Sequence, residues 1–118
     1  MCDDERRRIL SDIQLLLEDC VEDFYANAVR DALSGSEEDF EKFLISNELW
    51  GGSGSLADSA FCDRAGTDEE NQIRRKGKKL FESLMIDLGQ LQMRIGKTNM
   101  RTNMWVEAFT QWKNIGIR

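Results

Sequence analysis

With 118 residues, 41% hydrophobic and 32% charged, the chain has one domain's worth of length and a globular balance, not the low hydrophobicity of a disordered chain. It has no histidine, which excludes a Ser-His-Asp or Cys-His catalytic arrangement, and no apolar run of about 18 residues, which excludes a membrane-spanning helix. A folded chain of this size buries roughly 65% of the surface it exposes when unfolded, enough for a core without disulfides or metals.

The N-terminal MCDDERRRILSDIQ has no apolar segment of the secretory type, so the cytoplasm is the expected location. From Glu5 to Leu33, apolar residues recur in steps of three and four: Ile9, Leu10, Ile13, Leu16, Leu17, Cys20, Val21, Phe24, Tyr25, Ala28, Val29, Ala32 and Leu33. The spacing predicts one amphipathic helix ended by Gly35. A helix of that length measures about 43 Å, whereas the radius of gyration of a compact domain this size is about 13 Å. Either the molecule is elongated or the helix bends. Tyr25 and Val29, at the edge of the stripe, are the expected ground for a two-fold homodimer, the commonest oligomer.

A second helix is predicted from Ser36 as N-cap to about Asn47, with Phe40, Phe43 and Leu44 as its apolar side. A third, short one starts at Ser55 and buries Leu56, Ala60 and Phe61. A fourth opens on the capping box Thr67/Glu70 and runs to Gly96, with Ile73, Gly77, Leu80, Phe81, Leu84, Leu88, Leu91 and Ile95 on its stripe. Gly77 costs about 1 kcal/mol against Ala inside a helix, so a close helix contact is expected there. The last helix spans about Thr102 to Asn114, with Trp105, Ala108, Phe109 and Trp112 on one side and Gly116 as its stop. No stretch alternates with period two. The predicted fold is all-α: a single-domain bundle of four to five helices, two of them long, with a Gly/Ser-rich corner.

Charge is divided unevenly: residues 1–66 carry a net −10 and residues 67–118 a net +4. The acidic half argues against nucleic acid and against anionic membranes, and suits a basic protein partner; the two halves can also neutralise each other by packing together. Glu18, Asp19, Glu22 and Asp23 form i, i+4 carboxylate pairs. That spacing could offer oxygens to Mg²⁺, but no further ligand set accompanies it, so a solvent-facing acidic stripe able to cover a basic surface is the expectation. Cys2, Cys20 and Cys62 lack metal-ligand spacing; Cys20 falls on the apolar face and reads as a buried thiol. No metal or cofactor is implied.

RRKGKK, residues 74–79, is expected to spread around the exposed arc of its helix. Gly96-Lys97-Thr98 ends like a phosphate-binding loop, but Leu91 stands where that loop needs glycine and a helix precedes it where a strand belongs. Gly96 is therefore read as a helix terminator. NELWGGSGSLADSAF, residues 47–61, leaves three readings open. Trp50, Gly51, Gly52, Ser53, Gly54, Ser55 and Asp58 make a tight buried corner under the tryptophans, a ligand- or partner-binding loop, or a mobile linker. Arg101 could serve that corner by pairing with Asp58 or by bonding its free carbonyls.

ELWGGSGSLAD is similar to an L/F-W/F-G-G-x-G-S-x-x-D motif in small uncharacterised bacterial proteins, and TNMRTNMWVEAF near the C-terminus also resembles them. The resemblance covers about 30 residues, carried by Trp50, Gly51, Gly52, Gly54, Ser55 and Asp58. It implies a bacterial cytoplasmic protein with no defined activity, some relatives looking like immunity or accessory factors beside secreted toxins. Together these features predict a small non-enzymatic, protein-binding module whose acidic half covers a basic partner. The rival readings are a ligand- or nucleotide-binding enzyme centred on Gly51–Ser55, and a structural homodimer.

Overall fold

The computed structural model describes residues 2–20, 22–51, 55–61, 67–98 and 100–115. They form seven helical segments and no strand: α1 Cys2–Asp19, α2 Asp23–Ser34, α3 Glu37–Leu44, α4 Asn47–Trp50, α5 Leu56–Ser59, α6 Asp68–Arg94 and α7 Met100–Ile115. The all-α expectation holds. The number exceeds four or five because the first predicted helix is two, and because Asn47–Trp50 is a turn of its own capped by Ser46, whose hydroxyl accepts from the Leu49 N–H at 3.3 Å.

The break between α1 and α2 settles the length problem. The Glu22 N–H reaches back to the Leu17 carbonyl at 2.9 Å, one residue further than an α-helical bond, and Glu22 takes the non-helical φ −112°, ψ 53°. At the break the Glu22 side chain lies in the interior, where it meets Arg74 at 3.1 Å. One extra residue in the turn rotates the following helix by about 100°. The buried side of α2 becomes Tyr25, Ala26, Val29 and Ala32, and Phe24, predicted on the stripe, is 75% exposed. Tyr25 and Val29 lie in the core and give no ground for a homodimer. The molecule measures 39 × 32 × 24 Å, with a radius of gyration of 13.6 Å, so it is not elongated.

α6, about 40 Å long, is the spine. Cys20 faces Gly77 and Arg6 bonds Gln92, so α1 and α6 run antiparallel. Leu10, Ile13 and Leu17 of α1, Phe81, Met85 and Leu88 of α6, Val106 and Phe109 of α7, and Trp50 fill the core. Leu80, predicted on the stripe, is 54% exposed, while Arg74, Glu82 and Gln92 occupy the buried side. The capping box is formed, with the Thr67 hydroxyl accepting from Glu70 N–H and the Glu70 carboxylate from Thr67 N–H. The Gly96 and Lys97 N–H groups bond the carbonyls of Met93 and Gln92 at 3.1 and 2.8 Å, with Gly96 at φ +74°, so Gly96 is the helix terminator. α7 starts at Met100, two residues before the expected Thr102, which is buried; Asn99 and Gly116 lie outside the described residues.

Two glycines let helices close on each other. A Cβ on Gly77 would stand 2.7 Å from the Cys20 sulfur and 2.9 Å from the Phe61 ring, the close contact expected there. A Cβ on Gly89 would overlap Val106 Cγ2 and touch the Trp50 ring at 3.4 Å. Gly89→Ala gains about 1 kcal/mol in helix propensity but overpacks the α6/α7 contact. A net loss of about 1–2 kcal/mol is expected by urea denaturation, recovered in part when Val106→Ala is added. Additive losses in the double variant would mean that the two residues do not share this contact.

Candidate functional site

The glycine corner is built inward. Trp50 is fully buried, and its indole N–H donates to the Leu44 carbonyl at 2.9 Å. The Gly51 carbonyl accepts from the Trp105 indole N–H at 3.2 Å and from the Ser55 hydroxyl at 2.8 Å. The same Ser55 oxygen accepts the Asp58 N–H at 3.2 Å, capping α5. A Cβ on Gly51 would collide with the Asn47 carbonyl, so only glycine fits there. Leu49 and Leu56 anchor both edges in the core. The described part of this stretch is thus a tight corner whose polar groups serve the fold. Trp50 has no surface to offer a ligand. Arg101 is exposed, and Trp105 and Ser55, not Arg101, cover the Gly51 carbonyl. Asp58 is exposed; Gly52, Ser53 and Gly54 lie outside the described residues.

The acidic quartet divides. Glu18, Asp19 and Asp23 are exposed, whereas Glu22 is 1% exposed and belongs to the interior. One Glu22 oxygen accepts the Phe61 N–H at 3.1 Å and forms an ion pair with the Arg74 guanidinium at the same distance. Arg74 also donates to Asn71 at 2.8 Å. Phe61 sits at φ +65°, a left-handed backbone costly for a bulky side chain, and Glu22 is the group that holds its N–H. Beside this pair, burial pushes the Cys20 thiol up, with Asp19 and Glu22 adding to the effect; a thiol kept protonated this way is a poor nucleophile. Cys62 lies outside the described residues, as does the side chain of Cys2.

A second polar node fastens α1 to α3. Arg6, fully buried, grips Glu41 through two bonds of 2.9 and 2.6 Å and donates to Gln92 at 2.7 Å. Gln92 in turn donates to the Lys97 carbonyl at 2.8 Å, and the Lys97 ammonium lies 3.3 Å from Glu41. The hydrogen bond from Arg6 holds the Glu41 carboxyl below its ordinary range, helped by Lys97 and opposed by burial. Glu22–Arg74 and Glu41–Lys97 join the acidic and basic halves of the chain, so packing neutralises part of the charge split.

Part of the acidic surface stays unneutralised. Exposed Glu18, Glu37 and Glu38 pair with Arg30, Arg7 and Lys42. Among the described residues of the N-terminal half, Glu5, Asp12, Asp19, Asp23, Asp31, Asp39 and Glu48 enter no ion pair. Asp31, Asp39 and Glu48 line an open groove of about 640 Å³ between α2 and the α3–α4 segment. Phe24, Ala28, Ala32 and Phe43 supply its apolar lining, and Lys42 is the single basic residue of the lining. Helical periodicity alone places Phe24 on the buried stripe. The phase change at Glu22 brings Phe24, Ala28 and Asp31 to one groove.

Among the described residues, no helix is long and apolar enough to cross a membrane, and no three His, Cys, Asp or Glu side chains are grouped to hold a metal ion. No protein-family model matches the chain, and neither a curated protein nor a solved structure matches it.

Proposed function

We propose that this protein is a non-enzymatic binding module whose acidic N-terminal half covers a basic protein. The observation that carries the reading is the set of seven carboxylates of this half that enter no ion pair among the described residues, Glu5, Asp12, Asp19, Asp23, Asp31, Asp39 and Glu48, spread over α1 to α4. An uncompensated acidic surface speeds encounter with a basic partner and makes the association salt-sensitive. Immunity to a toxin is the sharpest form of the proposal: a toxin that cleaves nucleic acid needs a basic, phosphate-holding site, and an acidic cover suits it.

The test is a capture experiment with purified protein, wild type against Glu18→Gln/Asp19→Asn/Asp23→Asn. Glu22 is left in place because it is interior. The triple variant is expected to lose a basic partner that wild type holds at low salt and releases at high salt. Retention of every partner both by this variant and by Asp31→Asn/Asp39→Asn/Glu48→Gln overturns the acidic face as interface.

The ligand-loop reading of Gly51–Ser55 makes a different prediction. Nucleotides, sugar phosphates and Mg²⁺ are expected to leave the melting temperature unchanged, since a ligand of the native state would raise it by mass action. A saturable rise that disappears in Gly52→Val would favour the loop as a site. The homodimer reading has its support in Leu15 and Leu80, 56% and 54% exposed on the adjacent helices α1 and α6. Light scattering at high concentration reads it directly.

A further inference from the structure

The break at Glu22 leaves a large aromatic in water beside a groove, and both lie within the acidic surface. Phe24 is 75% exposed and meets Tyr25 edge-on, with 5.1 Å between ring centroids. Phe24, Ala28 and Ala32 stand four residues apart and form one ridge of α2. Two small side chains follow the Phe, so an incoming backbone can approach α2 closely beyond it. From Phe24 to Ala32 the ridge runs about 12 Å, the length of roughly two helical turns. Phe43 of α3 faces it across the groove. The rim is anionic on both sides, with Asp31 on α2, Asp39 on α3 and Glu48 on α4, against the single Lys42.

A flexible polar peptide would leave this apolar floor unused, and an acidic or neutral helix would oppose or ignore the rim. An amphipathic helix reads a groove through apolar residues at i, i+4 and i+7, and its flanking charges set which helix is accepted. We infer that the α2/α3 groove is the docking site for a cationic amphipathic helix of the partner, its apolar face laid along the exposed Phe24 and the half-buried Ala28, over a floor closed by the core residues Ala32 and Phe43, and its Lys or Arg residues paired with Asp31, Asp39 and Glu48. This rests on the acidic half being the interface and names the element that it receives.

The probe is a fluorescein-labelled Leu/Lys model helix of about five turns. Two controls accompany it: the same composition scrambled to destroy the helical period, and a Leu/Glu analogue. Anisotropy titration of the full chain is combined with amide shift mapping. The expected result is saturable binding of the Leu/Lys helix, not of either control, with shifts centred on Phe24, Ala28 and Asp39. Affinity falls about tenfold or more in Phe24→Ser and in Ala28→Arg, and also as salt rises. Phe24 is exposed and Ala28 half-buried, so both variants are expected to keep the wild-type unfolding midpoint. If Ala28→Arg fails to fold, Phe24→Ser together with Asp31→Asn/Asp39→Asn carries the same test. Equal binding by wild type and the groove variants, with loss only in Glu18→Gln/Asp19→Asn/Asp23→Asn, overturns the groove and leaves the acidic interface standing. No binding of the Leu/Lys helix at low salt overturns the groove as a helix site, and the capture experiment alone then decides the acidic interface. Self-association that shifts the groove amides without peptide would give the groove to a second copy and overturn the assignment.

Discussion

Glu22→Ala is expected to destabilise the protein by about 3–5 kcal/mol in urea denaturation. The same measurement on Asp19→Asn and Asp23→Asn should give changes within about 0.5 kcal/mol. The four residues Glu18, Asp19, Glu22 and Asp23 look alike in sequence, and three of them are exposed. Glu22 is at 1% exposure, ion-paired with Arg74, and accepts the N–H of Phe61 at a left-handed backbone position. Removing it leaves a guanidinium at 6% exposure without its carboxylate and takes the acceptor from the Phe61 N–H. A loss of this size is a large part of the roughly 5–15 kcal/mol that holds a domain folded. Glu22→Gln keeps an acceptor oxygen for Phe61 and should lose less. The double change Glu22→Leu/Arg74→Leu removes both charges together and should recover most of the loss, since the cost of a broken buried pair is chiefly the stranded partner. If Glu22→Ala behaves like Asp19→Asn, the inward pair does not hold the α1–α2 break, and the phase change that exposes Phe24 needs another cause.

What could be read without the fold was local. Ser36 and Ser55 accept the N–H groups of Asp39 and Asp58 as their positions predicted, Thr67 and Glu70 close their box, and Gly96 takes its positive φ. Each of these depends on residues at most three or four apart. Gly77 was legible for a related reason: a glycine on an apolar stripe has a cost that only close packing offsets. What could not be read depends on distant partners. The 3–4 spacing of apolar residues continues through Cys20, Phe24 and Tyr25 as though no break existed, and nothing near Glu22 announces Arg74, 52 positions later. Leu80 fits the stripe by spacing, yet it is exposed while Glu82 is buried, because burial on α6 is set by which helices cover it. The glycine corner was legible as special but not in its parts. That Trp105, not Arg101, would bond the Gly51 carbonyl depends on how α7 lies against α4.

Arg6→Met is expected to cost about 2–3 kcal/mol at neutral pH, less than a fully buried pair, because its partner is reached by water. Arg6 itself is fully buried, whereas Glu41 is 25% exposed and keeps Lys97 at 3.3 Å when Arg6 is gone. Methionine can follow the Arg6 stem but not replace its guanidinium, whose carbon lies 5.4 Å from the Phe40 ring centroid, so the loss falls on that contact and on the bonds to Glu41 and Gln92. The same variant carries a pH signature that a mere packing defect would lack. Arg6 holds the Glu41 carboxyl below its ordinary range, so folded Glu41 binds its proton less readily than unfolded Glu41 does. The stabilisation is complete above the ordinary carboxylate value of about 4.3 and is lost as pH falls through the lower folded value. Wild type should therefore lose this share of its stability on acidification, while Arg6→Met, with Glu41 nearer its ordinary range, has less of it to lose. Urea midpoints measured from about pH 7 down to about pH 3 should show the gap between the two proteins narrowing below about pH 4.5. A gap of constant size over that range would mean that Arg6 stabilises the α1–α3 contact by shape alone and that Glu41 titrates without it.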